Sequence, residues 1–295
     1  MADPTLNYVN CPDASGTHRM AYWQWGDAQA AHTIVCVHGL TRQGRDFDVL
    51  AQALLARASG PLRVVCPDVA GRGMSDWLPD PQAYSIPGYA ADMLALLAAL
   101  KPATLDWVGT SMGGLIGMAV CAHAKTVGAQ VRRLVLNDVG PVLEWQSLLR
   151  IGAYLGKHMH YPSLQLASDA LRVIASSFGP HTDAQWLELS RHMVKPDPAG
   201  GVCLHYDPAI AVAFQAVSQE NALQGEAALW ALYDSITAPS LLLRGADSDL
   251  LSVSTAQQMT LRGPKARLVE FAGVGHAPTL IAADQVDAVA SFLLA

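Results

Sequence analysis

Residues 109–113 read Gly109-Thr110-Ser111-Met112-Gly113. They join an apolar run, Leu105-Asp106-Trp107-Val108, to a run of small and apolar residues that begins Gly113-Gly114-Leu115-Ile116-Gly117. The first flank asks for a buried strand and the second for a helix, so the chain must turn sharply at the serine. Glycines two before and two after it let the backbone pack where a Cβ would clash. A serine at such an apex projects its hydroxyl beside the N-terminus of the next helix, where a developing anion is stabilised. The same five residues also suit a plain strand-to-helix turn with a capping serine. The rest of the chain has to separate the two.

Strand-like and helix-like stretches alternate on both sides of this turn. Residues 6–12 and 19–25 alternate as an antiparallel edge hairpin would. Residues 33–37, 63–66, 105–109 and 133–137 are continuous apolar runs, separated by helical patterns at about 46–58, 87–100 and 113–125. Such runs mark a mostly parallel sheet covered by helices on both faces. The rhythm changes at Gly140-Pro141. As far as about Asp234 only helical patterns occur. Residues 240–244 and 266–271 then resume the alternation, and 284–294 closes as a helix. The expected organisation is an α/β core of residues 1–139 and 236–295, with a helical lid of residues 140–235 inserted after the sixth strand. Inserted there, the lid would cover the strand ends where open α/β sheets bind ligands.

Bulk properties narrow the partners. The chain has 295 residues, 51% of them hydrophobic and 15% charged, with a net charge of −6. The size fits one large domain or a domain with an insertion. The negative balance argues against nucleic acid and anionic membranes, leaving a small molecule as the expected partner of a monomer or homodimer. No apolar run approaches the ~18 residues of a membrane span, and the opening Met1-Ala2-Asp3-Pro4-Thr5 lacks the features of a secretory signal. Five unclustered cysteines read as free thiols in a reducing cytoplasm. No metal site or cofactor is expected: the lid histidines His158, His160, His181, His192 and His205 lack ligand spacing. Gly71-Arg72-Gly73-Met74-Ser75-Asp76 lacks the third glycine of a dinucleotide fingerprint.

A serine nucleophile needs a base, an acid to orient that base, and donors for an oxyanion. His276, in Gly273-Val274-Gly275-His276-Ala277-Pro278, directly follows the last strand and is the expected base. The acid is sought in Asp247-Ser248-Asp249-Leu250-Leu251. Asp249 is preferred because the apolar turn after it fixes its direction; Asp247 is the runner-up. Asp138, after the strand that follows the nucleophile helix, is a third geometric possibility, otherwise expected to hold the lid entrance. The backbone N–H groups of Met112 and Leu40 are the expected oxyanion donors. His38 is expected to brace the Leu40 loop. Substrate contacts are expected from His38, Gly39, Trp145 and Tyr154.

With these residues in view, the chain resembles the α/β-hydrolase family in its lidded, single-domain form. The motifs His38-Gly39, Gly71-Arg72-Gly73-Met74-Ser75-Asp76, Gly109-Thr110-Ser111-Met112-Gly113-Gly114, Asp249 and Gly275-His276 stand in that family's order. The resemblance covers essentially all but the lid. It implies a serine hydrolase working through an acyl-enzyme, with an ester or lactone bearing an apolar portion as substrate. The acid loop has one residue more between Gly245 and Asp249 than many members have, which keeps Asp247 open. Serine at the elbow disfavours dehalogenase and epoxide-hydrolase chemistry, which needs a carboxylate there. Carbon–carbon bond hydrolysis of vinylogous diketones ranks second, because Ala277 stands where many such enzymes have tryptophan. Enol-lactonase and thioesterase activity use the same triad. A noncatalytic ligand-binding protein on the same scaffold is the reading from a different class.

Overall fold

A computed structural model describes residues 3–14, 16–216 and 218–295. Its centre is an eight-stranded sheet. The strands are β1 (Thr5–Asp13), β2 (Gly16–Gly26), β3 (His32–Val37), β4 (Leu62–Pro67), β5 (Thr104–Thr110) and β6 (Val131–Asn137). Three short strands follow, β7 (His160–Tyr161), β8 (Val194–Pro196) and β9 (Val202–Leu204), and then β10 (Ser240–Gly245) and β11 (Arg267–Phe271) return to the main sheet. The order across that sheet is β1-β2-β4-β3-β5-β6-β10-β11. The hairpin β1–β2 forms one edge and pairs antiparallel to β4; the other six strands run parallel.

The apolar strand runs have their physical reason in two cores. Along β3, Val35 and Val37 enter one core while Ile34 and Cys36 enter the other. Along β5, Trp107 and Val108 divide the same way. Buried on both faces, such strands show no polar alternation. The helices α1 (Asp48–Arg57) and α10 (Ala283–Leu293) cover one face, through Leu50, Leu54, Val286 and Val289. On the opposite face lie α2 (Ile86–Leu100), α3 (Met112–His123) and α9 (Val253–Leu261), through residues such as Leu96, Leu97, Ile116 and Met259.

Chain order reverses at the centre of the sheet. From β3 the chain moves outward to β4, then crosses back so that β5 lies on the other side of β3. The loops after β3 and β5 therefore diverge, and the crevice between them is where open α/β sheets take ligands. Between β6 and β10 come α4 (Trp145–Tyr154), α5 (Leu164–Ile174), α6 (Asp183–Arg191), α7 (Ile210–Gln215) and α8 (Gln219–Asp234). The segment is not purely helical as expected. β7, β9 and β8 form a small antiparallel sheet within it. Strands of two or three residues are too short to leave a period in the sequence.

Candidate active site

The turn between β5 and α3 is built as its glycines require. A Cβ on Gly109 would lie 2.3 Å from the Gly113 carbonyl oxygen, and one on Gly113 would lie 2.0 Å from that of Val37. Only glycine fits either position. Ser111 between them has φ 52° and ψ −117°, a strained conformation for a residue with a Cβ. It stands at the N-cap of α3 but makes no capping hydrogen bond. The capping alternative is thereby excluded: the hydroxyl faces His276, with Oγ 2.9 Å from Nε2.

His276 is held from the other side by Asp138, whose Oδ2 lies 2.7 Å from Nδ1. A carboxylate only accepts, so Nδ1 carries the proton and Nε2 is left to accept from the serine. Asp138 is fully buried. Its Oδ1 accepts from the Gly245 N–H at 3.0 Å, and its Oδ2 also accepts from the Ser248 hydroxyl at 2.7 Å. Buried charge is tolerated when donors surround it, and these donors supply that condition.

The preferred acid from the sequence does not occupy this place. Asp249 is exposed and bonds the Arg150 guanidinium, at 2.8 Å to Nε and 3.0 Å to Nη2. Partial burial pushes the Asp249 carboxyl up, but Arg150 more than offsets this and holds it below the usual carboxylate range. Asp247 is also exposed; its backbone N–H bonds Val274 O at 2.9 Å, and its side chain does not reach the imidazole. The partner of His276 is Asp138, the third candidate. β6 and β10 are neighbours in the sheet, so the loops after both strands converge on His276. The loop after β10 contributes the Ser248 hydroxyl and the Gly245 N–H rather than its own carboxylates.

The loop after β3 reaches the same point. A Cβ on Gly39 would sit 3.7 Å from the Ser111 Cβ, so this backbone lies against the serine. The peptide that carries the Leu40 N–H is clamped through its carbonyl. Gly39 O accepts from His38 Nδ1 at 2.7 Å and from the Arg42 N–H at 3.1 Å. His38 Nε2 in turn accepts from the Val69 N–H at 2.9 Å. Both ring nitrogens are thus used and the ring stays neutral; burial pushes its pKa down to about 3. His38 is fully buried and lines neither cavity beside Ser111, so it braces the loop and is not the substrate contact expected from the sequence. Met112 opens α3, so its N–H has no acceptor within the helix. Arg72 figures in the sequence only as a member of the Gly71–Asp76 motif. It is fully buried, donates to Leu40 O at 2.8 Å and places Nη2 3.6 Å from the Met112 sulfur. It ties the two expected oxyanion residues together. The sequence signal was an arginine between two glycines, which the structure places at φ of +83° and +52°.

The segment between β6 and β10 touches the loop that carries His276. The Ser177 hydroxyl donates to His276 O at 2.9 Å, and the Gly275 N–H donates to Ser177 O at 2.6 Å. Ser111 opens on two cavities. One, of about 730 Å³, is mainly apolar, with Leu40, Met112, Leu115, Trp145, Leu148 and Phe214 among its lining. The other, of about 110 Å³, carries His276, Gly39, Arg42, Arg150, Tyr154 and Phe178. Of the expected substrate contacts, Gly39 and Tyr154 line the smaller cavity and Trp145 the larger. Among the described residues one group has metal-ligand spacing: the donor atoms of Cys11, His18 and Asp92 lie within 4.8 Å of one another. It stands on β1, β2 and α2, and its imidazole is already bonded to Asp13 at 2.9 Å and Asp92 at 3.1 Å. These bonds tie the hairpin to α2. No helix among the described residues is long and apolar enough to cross a membrane.

Fold, elbow and base together define a hydrolase of the α/β type, and comparison with known proteins agrees. Residues 34–292 match the model of the alpha/beta hydrolase family, and the chain belongs to that family. It is 46% identical over 294 residues to a 3-hydroxybutyrate-oligomer hydrolase of Cupriavidus necator, spanning 99% of this chain and 98% of that protein. An α/β hydrolase structure from Novosphingobium aromaticivorans superposes with a TM-score of 0.85 at 32% identity, covering 99% of both chains. A putative hydrolase from Rickettsia typhi gives 0.86 at 28%, covering 98% of both.

Proposed function

We propose that this hydrolase cleaves carboxylic esters through an acyl-enzyme on Ser111, and that short esters of 3-hydroxybutyrate are its substrate class. The observation that carries the reading is the continuous relay Ser111 Oγ–His276 Nε2 at 2.9 Å and His276 Nδ1–Asp138 Oδ2 at 2.7 Å. In the proposed reaction, His276 takes the hydroxyl proton as Ser111 attacks the ester carbonyl. Asp138 keeps the imidazole in the required tautomer and stabilises the imidazolium that forms. The Leu40 and Met112 N–H groups receive the oxyanion, the second aided by the positive end of the α3 dipole. His276 gives its proton to the departing alkoxide, and water, activated by the same ring, releases the acid.

The substrate class is supported by the Cupriavidus necator relative and by the apolar cavity beside the serine, which suits an acyl chain of methyl-bearing units. Two measurements test the reading. A fluorophosphonate probe is expected to label the wild-type protein and not Ser111→Ala. The wild type is expected to hydrolyse p-nitrophenyl butyrate and the 3-hydroxybutyrate dimer faster than lactones or thioesters of similar size. Undiminished ester turnover by Ser111→Ala would sink the nucleophile assignment. A clear preference for a thioester would sink the substrate class.

A further inference from the structure

The smaller cavity at Ser111 carries two arginines that the triad does not use. They are held differently. Arg42 makes a bidentate pair with Asp46, at 2.6 and 2.8 Å, with both partners largely shielded; it lies over the Phe178 ring and donates to Leu189 O. It is committed to joining the loop after β3 to the inserted segment. Arg150, on α4, has a side chain 40% exposed, and its Asp249 partner is 46% exposed. Asp249 takes Nε and Nη2, which leaves Nη1 and one Nη2 hydrogen outside that pair. Exposed pairs of this kind contribute little, because water solvates both partners nearly as well. The guanidinium of Arg150 is thus open to exchange beside the nucleophile of a protein whose net charge of −6 would otherwise repel anions.

From this arrangement we infer that Arg150 is a carboxylate-binding residue, recognising the free acid end of the substrate's alcohol portion. The inference rests on the ester-hydrolase reading above. A 3-hydroxybutyrate oligomer ends in one carboxylate. If that end enters the smaller cavity, the acyl portion extends into the apolar one, and the ester presented to Ser111 is the one nearest the acid end. Attack then breaks the bond between the acyl carbon and the alkoxide oxygen. The alkoxide takes its proton from His276 and leaves as a 3-hydroxy acid whose carboxylate is still paired with Arg150, and water resolves the acyl-enzyme. A planar fork suits this task better than an ammonium, because it meets both carboxylate oxygens at once. Asp249 holds the fork in place between turnovers and yields it to the substrate.

The test compares the 3-hydroxybutyrate dimer as free acid with its methyl ester. The wild type is expected to prefer the acid by about ten- to a hundredfold in kcat/KM, through KM, the size of effect a charge-assisted hydrogen-bond pair supplies. In Arg150→Gln that ratio falls to about one, Arg150→Lys restores part of it, and added salt erodes it in the wild type. A wild type indifferent to the acid group, or an Arg150→Gln variant that keeps the preference, overturns the assignment. Binding of 3-hydroxybutyrate to Ser111→Ala, measured by calorimetry, separates this inference from the reading it rests on. Binding that is lost on adding Arg150→Gln supports the carboxylate site whether or not the protein turns over oligomers. Equal binding by both variants, or none by either, refutes it. Thermal melts of each variant exclude loss of fold as the cause.

Discussion

Two aspartates follow adjacent parallel strands, yet they live in opposite environments. Asp138, after β6, is fully buried and accepts three hydrogen bonds, from Gly245 N, Ser248 Oγ and His276 Nδ1. Asp249, after β10, is nearly half exposed and pairs with an arginine from the inserted segment. A buried, fully bonded carboxylate has one geometry and makes a rigid orienter for an imidazole. An exposed, ion-paired one can exchange partners and suits a surface that must let a charged molecule in and out. In the proposed reading, chemistry and recognition are divided between the two positions, one supplied by the core and one shared with the segment between β6 and β10.

The sharpest way to break this division is to remove the groups in order of expected effect. Ser111→Ala is expected to lower kcat on p-nitrophenyl butyrate by about 10⁴-fold or more, and Asp138→Asn by about 10³–10⁴-fold, since the amide favours the wrong tautomer. Asp249→Asn is expected to cost no more than about threefold on the same neutral ester. Steady-state kinetics on the three variants decides the matter. An Asp249→Asn loss as deep as that of Asp138→Asn would return the acid role to the loop after β10.

A medium effect is expected where the core prepares the oxyanion loop. His38→Asn should lower kcat, because Gly39 O loses a donor, and it should also change the pH dependence of stability. The folded pKa of His38, about 3, lies below its ordinary 6.5. Its neutral form therefore contributes stability that is whole above about pH 6.5 and is lost as the pH falls towards 3. The steepest slope is about 1.4 kcal/mol per pH unit. Asp68, raised to about 6 chiefly by burial, acts in the opposite sense between its ordinary 3.8 and about 6. The informative quantity is accordingly the difference between wild type and His38→Asn in urea unfolding at pH 7 and pH 5. A difference that does not shrink on acidification would contradict a neutral, buried ring.

The smallest effect is expected at the contact between the inserted segment and the base. Ser177→Ala removes one hydrogen bond to the His276 carbonyl, worth about 1 kcal/mol, and should reduce kcat by less than about tenfold. A loss rivalling that of Asp138→Asn would mean that the inserted segment, and not the core, positions the base.

Much of this was legible in order along the chain. Gly109, Ser111 and Gly113 sit on consecutive elements, and the steric demand that selects glycine there is local. His276 could be found because it directly follows a strand-like run. The alternation of apolar runs with helical patterns was enough for the parallel sheet. The three short strands β7, β8 and β9 left no trace. Asp138 was visible as a residue but ranked below Asp249, because the apolar turn at Leu250-Leu251 gives direction to a backbone without saying which carboxylate it aims. Arg72 and Arg150 looked like ordinary cations.

What periodicity and glycine spacing could single out was the elbow serine, the histidine that meets it and the class of fold, because each depends on neighbours within a few residues. Which aspartate meets the base depended on β6 lying beside β10, with Gly245 and Ser248 reaching across to satisfy a buried charge 107 and 110 residues earlier in the chain. The pairing of Arg150 with Asp249 likewise spans 99 residues. Burial and through-space hydrogen bonding made those choices, and no local pattern encodes them.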